Sequence, residues 1–291
     1  MIEQDLETLY SPSCFSKRYG KTEVLQKHIQ FIEAHSKLVK SSIPCDLGIS
    51  YGPGLKEKYD IYGTDLREDA PIVIHIHGGY YHEESITHAN NSFISQILYR
   101  NGIKTILLGY ELSPQRTVPE ILEHLQMGIR ECLKYARNLK CKATFLSGHS
   151  VGAHAIATIL PDFKRSISQT DSNLIKGAFL LCGIYNLEPL TQMSVNDLLN
   201  LTIETAKEEL SPMLFDKADY GGTEIYIVAA ENDSPAFVVQ SQQFFKKLKS
   251  EEADVHFNLI PVVDHFDCIE NLFYEDYELS RLLVTAIKKY V

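Results

Sequence analysis

The segment from Ala143 to His154 reads ATFLSGHSVGAH. It begins with an apolar run that is typical of a buried strand and ends with small and apolar residues that suit a helix. Between the two, Ser150 is flanked by Gly148 and Gly152, which is the pattern G-x-S-x-G. A sharp strand-to-helix turn strains the backbone of such a serine and places its hydroxyl at the carboxyl end of the sheet. The same turn leaves no room for side chains at the positions of the two glycines. We therefore interpret Ser150 as a nucleophile, the alternative being a small-residue helix start without chemical importance.

Strand-like and helix-like runs alternate on both sides of this segment. The predicted strands cover residues 46–51, 58–62, 71–79, 104–109, 143–147, 175–182, 224–230 and 255–260. The predicted helices cover residues 91–101, 118–139, 150–160, 236–250 and 277–290. This alternation predicts an α/β fold with a mostly parallel central sheet and helices on both faces.

The length of 291 residues suits a single large α/β domain over residues 1–291 that carries an insertion. A helical rhythm of apolar residues predicts an N-terminal helical segment at about 21–42. The mixed, partly helical stretch at about 186–222 interrupts the alternation, and we expect it to form a small cap over the sheet edge.

The charge balance limits the classes of partner. The chain has 28 Lys and Arg against 38 Asp and Glu, which gives a formal net charge of −10. An acidic surface without a basic stripe argues against nucleic acid and against an anionic membrane as partners. No run reaches the roughly 18 apolar residues that cross a bilayer, and the acidic start MIEQDLETLY does not resemble a signal peptide.

The cysteine pattern points to a reducing compartment. The six cysteines are Cys14, Cys45, Cys132, Cys141, Cys182 and Cys268, and none forms a C-x-x-C pair. Because they are scattered among apparent core elements, we interpret them as buried free thiols rather than as a zinc site. We therefore expect a cytoplasmic protein with no metal site.

A serine hydroxyl is a weak nucleophile at neutral pH and needs a base, which a third group orients. In a strand–turn–helix setting of this kind the acid and the histidine follow the serine in that chain order, each after a later strand. Asp233 follows the predicted strand 224–230, and His265 follows the predicted strand 255–260. Ser150, Asp233 and His265 are therefore the predicted triad.

Other groups near these positions remain alternatives. Glu231 lies close to Asp233 in the chain, and Asp264 and Asp267 flank His265 but would pair with it only through awkward local geometry. His149 and His154 are neighbours of the serine, one in the turn and one on the following helix, and we assign neither a catalytic role.

Acyl transfer also needs hydrogen-bond donors for the developing oxyanion. The run HIHGGYY at 75–81 follows a predicted strand and supplies glycines, whose backbone amides can approach a substrate closely. The amides of Gly78 and Gly79, together with the amide of Val151 at the helix start, are the predicted oxyanion hole. The alternative is a plain Gly-Gly turn.

Taken together, these motifs resemble the α/β-hydrolase superfamily, in its hormone-sensitive-lipase-like branch. Within it, the chain is similar to the kynurenine formamidase (arylformamidase) family, and the segments that carry this resemblance are LETLYSPSCF, HGGYY, YELSPQRTVP, GHSVGAH, LCGIYNL, SPMLF, VAAENDS and DHFD. The resemblance covers nearly the whole chain. It implies an α/β-hydrolase fold and hydrolysis of N-formyl-L-kynurenine to L-kynurenine and formate, a cytosolic step of tryptophan catabolism, without metal or organic cofactor.

Two positions depart from the family pattern. The family motif commonly reads HGGYW, whereas this chain has Tyr81 at the last position. In the G-x-S-x-G turn, the residue after the serine is often Ala in the family, whereas this chain has Val151. The chain has no tryptophan, and Phe215 in SPMLF is a second position at which another aromatic residue could stand in place of a family tryptophan. These departures leave the triad intact and bear on substrate preference.

The aromatic leaving group of such a substrate needs a flat apolar wall. The predicted substrate-binding residues are Tyr80, Tyr81, Tyr185 and Phe215, each of which could instead be an ordinary core residue. The expected partner is a small aryl formamide, and the sequence is compatible with a homodimer.

Two other functions use the same sequence features. A carboxylesterase that acts on short-chain or aryl esters needs the same triad and oxyanion hole, so the motifs do not separate it from a formamidase. A non-catalytic receptor or scaffold with this fold would typically lose a member of the triad, and this chain keeps Ser150, Asp233 and His265.

Overall fold

The computed structural model describes residues 5–216 and 218–290, and within these residues eight strands form one sheet. The strands are β1 (Cys45–Ser50), β2 (Lys58–Tyr62), β3 (Ile72–Ile76), β4 (Lys104–Leu108), β5 (Thr144–His149), β6 (Ile175–Leu181), β7 (Glu224–Ala230) and β8 (Val255–Ile260). Their order in the sheet is β1-β2-β4-β3-β5-β6-β7-β8. Since only β2 runs opposite to the others, the prediction of a mostly parallel sheet is confirmed.

Helices cover both faces of this sheet. They are α1 (Leu6–Leu9), α2 (Val24–Ser42), α3 (Ser95–Arg100), α4 (Val118–Asn138), α5 (Val151–Ser166), α6 (Gln169–Leu174), α7 (Asn196–Leu199), α8 (Pro235–Ser250), α9 (Asp267–Glu270) and α10 (Glu278–Lys288). The apolar faces of α4, α5 and α8 pack on one side of the sheet, and those of α2, α3 and α10 pack on the other.

The central strands explain this two-sided packing. Every residue of β3 is buried, and its side chains alternate, with Ile72 and Ile74 in one core cluster and Val73 in the other. A strand with both faces covered carries a continuous apolar run rather than an alternating pattern, which is what the sequence IVIHI shows.

The strand register brings distant loops to one edge of the sheet. Ile76 at the end of β3 pairs with Gly148 near the end of β5, so the residues that follow β3 lie beside Ser150. Ala230 at the end of β7 pairs with Ile260 at the end of β8, which places the two following loops side by side. Ligands bind at this carboxyl edge in open α/β sheets.

Some predicted boundaries need correction. The strand predicted for 71–79 ends at Ile76, because the chain then turns through Gly79, Tyr80 and Tyr81, which have positive φ angles of 110°, 48° and 61°. The helix predicted for 91–101 is a 3₁₀ stretch at His88–Ile94 followed by the short helix α3. Helix α5 extends to Ser166, beyond the predicted end at residue 160.

The two segments expected outside the alternating core have distinct forms. The predicted N-terminal helical segment contains α2, and it is preceded by residues 5–18, which we call the N-terminal strap. The cap segment, residues 186–222 apart from 217, joins β6 to β7 and carries short helical turns at Glu188–Gln192, Asn196–Leu199 and Thr205–Glu209. Among the described helices, none combines the length and the apolar character that crossing a membrane requires.

Candidate active site

Ser150 occupies a strained turn between β5 and α5. Its backbone angles are φ 57° and ψ −120°, a region that residues other than glycine rarely adopt. A Cβ atom on Gly148 would overlap the backbone of Gly152, and one on Gly152 would overlap the carbonyl oxygen of Ile76. The two glycines of G-x-S-x-G therefore allow the tight approach of β5, α5 and β3 that raises the serine to the sheet edge.

Asp233 and His265 form a hydrogen-bonded pair at the same edge. His265 Nδ1 lies 2.7 Å from Asp233 Oδ2, and both side chains are buried. The second carboxylate oxygen of Asp233 accepts a hydrogen bond from the backbone N–H of Ser234 at 2.6 Å. These bonds orient the imidazole, and its other nitrogen, Nε2, is the atom that a general base would use.

Ser150 and His265 line one cavity. Within the described residues, no hydrogen bond joins Ser150 Oγ to the imidazole of His265. Catalytic hydrogen bonds often tighten only when substrate binds. The structure therefore brings the predicted nucleophile and base to one surface, and the triad as a catalytic unit stays a prediction.

The other carboxyl groups near this site are bonded elsewhere. Glu231 is exposed and accepts a hydrogen bond from the backbone N–H of Val262 at 2.7 Å. Asp264 accepts bonds from Arg18 Nε and Nη2 at 3.1 and 3.2 Å, and Asp267 Oδ1 accepts the backbone N–H of Asp264. Each of these alternatives to the predicted acid thus has its own partner.

The loop after β3 approaches the serine closely. Gly78 and Gly79 line the cavity, and a Cβ atom on Gly78 would lie 3.1 Å from Ser150 Cβ. No acceptor within the described residues takes the backbone N–H of Gly78 or Gly79. The amide of Val151 belongs to the first residue of α5, where a helix leaves its N–H groups without an intrahelical partner. The geometry suits the predicted oxyanion hole.

The cavity above Ser150 has a volume of about 360 Å³. Its walls come from the N-terminal strap, the start of α2, the loop after β3, the cap segment and the loop of His265. They include Tyr10, Pro12, Leu25, Tyr80, Ile86, Met193, Val195 and Phe266. The sequence alone predicts no role in the site for the strap or α2, although LETLYSPSCF, within the strap, is one of the segments that carry the family resemblance.

The N-terminal strap is bonded to several segments around the cavity. The backbone carbonyl of Leu9 accepts the hydroxyl of Ser234, and that of Tyr10 accepts the hydroxyl of Tyr80. Glu7 Oε1 accepts the backbone N–H of Ser194 in the cap segment at 2.5 Å. The strap therefore connects the loop after β3, the loop after β7 and the cap.

Tyr80 is the one predicted substrate-binding aromatic that lines the cavity among the described residues. The prediction for Tyr81 is corrected: its side chain is buried, and its hydroxyl lies 2.6 Å from His154 Nδ1 and 3.0 Å from the carbonyl oxygen of Val151. His154 Nε2 in turn contacts the carbonyl of Leu210 at 2.6 Å. Tyr81 thus braces the loop after β3 against α5.

Tyr185 and Phe215 also lie away from the cavity walls. Tyr185 is fully buried and stacks on Phe244 of α8, with ring centroids 4.3 Å apart. Phe215 lines a separate surface depression with Pro119 and Leu122 of α4. Both substrate-binding predictions are corrected, because a motif residue near the site in the sequence need not point its side chain into it.

His149, Cys182 and His265 place potential metal-ligand atoms within 4.8 Å of one another. Their hydrogen bonds explain this arrangement without an ion. His149 Nε2 contacts the backbone carbonyl of His265 at 3.0 Å, and His265 Nδ1 is held by Asp233. A hydrogen bond with Cys268 and burial raise the pKa of Cys182 well above its usual value, which favours the thiol over the thiolate that metals bind.

A comparison with protein families matches residues 73–267 to the α/β-hydrolase fold family. The kynurenine formamidase of Salmo salar is 32% identical to this chain, over 99% of this chain and 98% of the relative. That of Danio rerio is 31% identical over the same shares. The chain belongs to the kynurenine formamidase family.

Solved structures of esterases have the same fold as this chain. The carboxylesterase EstE1, cloned from a metagenomic library, superimposes with a TM-score of 0.68 at 16% identity, over 91% of this chain and 96% of the other. A similarity at this level of identity establishes the α/β-hydrolase fold of this kynurenine formamidase family member and nothing about its substrate.

Proposed function

We propose that this protein is an arylformamidase that hydrolyses the formyl amide of N-formyl-L-kynurenine to L-kynurenine and formate. The observation that carries the proposal is the shared cavity of Ser150, His265 and the Gly78–Gly79 loop in a chain that belongs to the kynurenine formamidase family. A cavity of about 360 Å³ falls within the range of small-molecule sites.

The first half of the reaction forms a formyl-enzyme. Ser150 Oγ attacks the formyl carbon while His265 Nε2 takes the hydroxyl proton, and Asp233 holds the imidazole by Nδ1–H. The amides of Gly78, Gly79 and Val151 donate to the oxyanion of the tetrahedral intermediate. Loss of one such donor typically costs about 3–4 kcal/mol of transition-state stabilisation.

The second half releases both products. The intermediate collapses as the carbon–nitrogen bond breaks, and His265 returns the proton to the departing aryl amine. Water then attacks the formyl ester of Ser150 while His265 takes a proton from it, and His265 returns that proton to Ser150 Oγ as the ester bond breaks and formate leaves. Each step uses the same hydrogen bond between His265 and Asp233.

The aryl ring has an apolar surface to bind. Tyr80, Ile86 and Phe266 lie on the cavity walls together with Leu25 and Met193. A formyl group is the smallest acyl group, so the acyl side of the site can be tight while the cavity holds the leaving group. This division of space supports an aryl formamide as the substrate.

A cytoplasmic location belongs to the same proposal. All six cysteines are free thiols in the structure, and Cys132, Cys141, Cys182 and Cys268 are buried. Buried unpaired thiols are typical of proteins in reducing compartments.

The proposal is tested by comparing kcat/KM for N-formyl-L-kynurenine and for 4-nitrophenyl acetate. A formamidase should turn over N-formyl-L-kynurenine with kcat/KM of at least about 10⁴ M⁻¹s⁻¹, the lower end for ordinary enzymes. If the ester is hydrolysed and the formamide is not, the protein is a carboxylesterase. If neither is hydrolysed and a fluorophosphonate probe leaves Ser150 unlabelled, it is a scaffold.

A further inference from the structure

The N-terminal end of helix α2 faces the candidate active site. Lys21, in the turn before the helix, and Leu25 and His28, in its first turns, all line the cavity. Leu25 and His28 are three residues apart in α2 and therefore lie on one side of the helix, and Lys21 precedes them in the turn. The amino end of a helix also carries a partial positive charge that favours a bound anion.

His28 is buried and held in a fixed orientation. It is 3% exposed, and its Nδ1 lies 2.8 Å from Glu270 Oε1. Glu270 also accepts a bond from Arg18 Nη1 at 2.7 Å. Burial alone would raise the pKa of Glu270, but the hydrogen bonds from His28 and Arg18 outweigh it and hold that pKa below its ordinary value. Glu270 is therefore a carboxylate, and His28 Nδ1 donates to it.

The second ring nitrogen of His28 is left for a ligand. Within the described residues Nε2 has no hydrogen-bond partner, although the ring lines the cavity. The ring centroid lies 5.3 Å from that of Phe266, which lies 5.5 Å from that of His265. Phe266 thus lies close to both His28 and the proposed base, His265.

We propose that His28 and Lys21 form an anion subsite that binds the carboxylate of the amino-acid side chain carried by the leaving aryl amine. The subsite rests on the proposed function, since it gives each end of N-formyl-L-kynurenine a position in the cavity. The formyl group lies at Ser150, and the carboxylate lies at the amino end of α2. In this complex His28 donates from Nδ1 to Glu270 and from Nε2 to the substrate carboxylate, so that one ring joins the two carboxylates.

The charges around the cavity fit such a zwitterionic ligand. Lys21 lines the cavity and forms no ion pair with any described residue, and the carboxyl group nearest to it in the strap, Asp5, accepts the backbone N–H of Thr8. Glu83 also lines the cavity beside Gly79, and its Oε1 accepts the backbone N–H of Ser85 at 2.9 Å, which leaves Oε2 for the ammonium group of the same amino acid. Glu7 also lines the cavity but is already bonded to Ser194 of the cap.

The test measures inhibition of 4-nitrophenyl acetate hydrolysis by L-kynurenine and by kynuramine, which lacks only the carboxylate. Wild-type protein should bind kynurenine about tenfold more tightly, as expected for a hydrogen bond to a charged group. His28→Asn should reduce this preference to twofold or less, because the Asn amide can still donate to Glu270 in place of Nδ1 but cannot reach the position of Nε2. Lys21→Met should reduce the preference about threefold.

His35→Asn is the matched control, because His35 lies on the same helix, bonds to the carbonyl of Phe31 and does not line the cavity. It should keep the wild-type preference. No preference in the wild type, or an unchanged preference in both His28→Asn and Lys21→Met, would overturn the subsite. If His28→Asn fails to fold, the preference for kynurenine over kynuramine is measured in two other variants. These are His28→Gln, which restores an amide near Nε2, and Lys21→Met, which changes an exposed residue.

The inhibition assay is independent of formamide turnover. If N-formyl-L-kynurenine is not hydrolysed but kynurenine still binds through His28, the proposed function fails and the carboxylate subsite stands. If N-formyl-L-kynurenine is hydrolysed and kynuramine binds as tightly as kynurenine, the subsite fails and the proposed function stands.

Discussion

His149 Nε2 lies 3.0 Å from the backbone carbonyl oxygen of His265. Because a carbonyl can only accept, His149 donates, and the residue before the nucleophile holds the loop that carries the proposed base. Burial, and next the neighbouring His265, lower the pKa of His149 well below its ordinary value, so the ring is neutral with its proton on Nε2. This hydrogen bond therefore holds the turn of Ser150 and the loop of His265 in a fixed relative position.

Removing this bond should impair the geometry of the base. We expect His149→Ala to lower kcat for N-formyl-L-kynurenine by about 10–100-fold with little change in KM, since small misplacements of a catalytic group have effects of this size. His149→Gln, whose amide can reach the same carbonyl, should recover most of the loss. Steady-state kinetics of the two variants measures this, and equal losses in both would contradict the role.

The assignment of the acid predicts a contrast between two aspartates. Asp233→Asn should lower kcat by about 10³–10⁴-fold, because the amide favours the wrong imidazole tautomer. Asp267→Asn should lower kcat less than tenfold, since Asp267 bonds to the backbone of Asp264 and not to His265. Circular dichroism of both variants checks folding, and a reversed order of the two losses would assign the acid to Asp267.

Asp267 also predicts a pH dependence of stability. Burial and the neighbouring Asp264 raise the pKa of Asp267 to about 7. The folded state therefore keeps a proton that the unfolded state releases above its pKa of about 3.9, so this group makes the free energy of unfolding fall as pH rises from about 4 to 7. Asp267→Asn should remove that slope.

Urea unfolding of wild type and Asp267→Asn at several pH values between 4 and 8 measures the difference. The variant should gain stability relative to the wild type as pH rises and keep the gain above pH 7. A constant difference across this range would mean that Asp267 titrates normally in the folded protein.

Tyr81 is expected to matter for stability rather than for substrate choice. Tyr81→Phe leaves His154 Nδ1 without its partner in the core, which should cost about 1–3 kcal/mol of unfolding free energy. Values of kcat/KM for N-formyl-L-kynurenine and 4-nitrophenyl acetate should stay within about twofold of wild type. A selective rise in KM for the formamide alone would return Tyr81 to the substrate pocket.

The sequence was sufficient to predict the parts of the site that depend on strand ends. Loops after β3, β5, β7 and β8 must meet at the carboxyl edge of a parallel sheet, so residues following those strands could be placed from the order of elements alone. Ser150, Asp233 and His265 follow three of these strands, and their proximity is a consequence of topology.

Side-chain direction and long-range contacts could not be predicted in the same way. Tyr80 and Tyr81 are neighbours, but positive φ angles at both turn one ring to the cavity and the other into the core. The contact of Arg18 with Asp264 joins residues 246 positions apart, and no local pattern signals it. The strap and α2 were therefore missed as walls of the cavity.

The proposed function depends on cleavage of the formyl amide of N-formyl-L-kynurenine by Ser150. The most direct measurement follows formation of L-kynurenine and formate by the purified wild-type protein and by Ser150→Ala under the same conditions. We predict equal amounts of both products from the wild type and a loss of several orders of magnitude in Ser150→Ala, with folding unchanged. Absence of turnover by the wild type, or more than about a tenth of its activity in Ser150→Ala, would contradict the account.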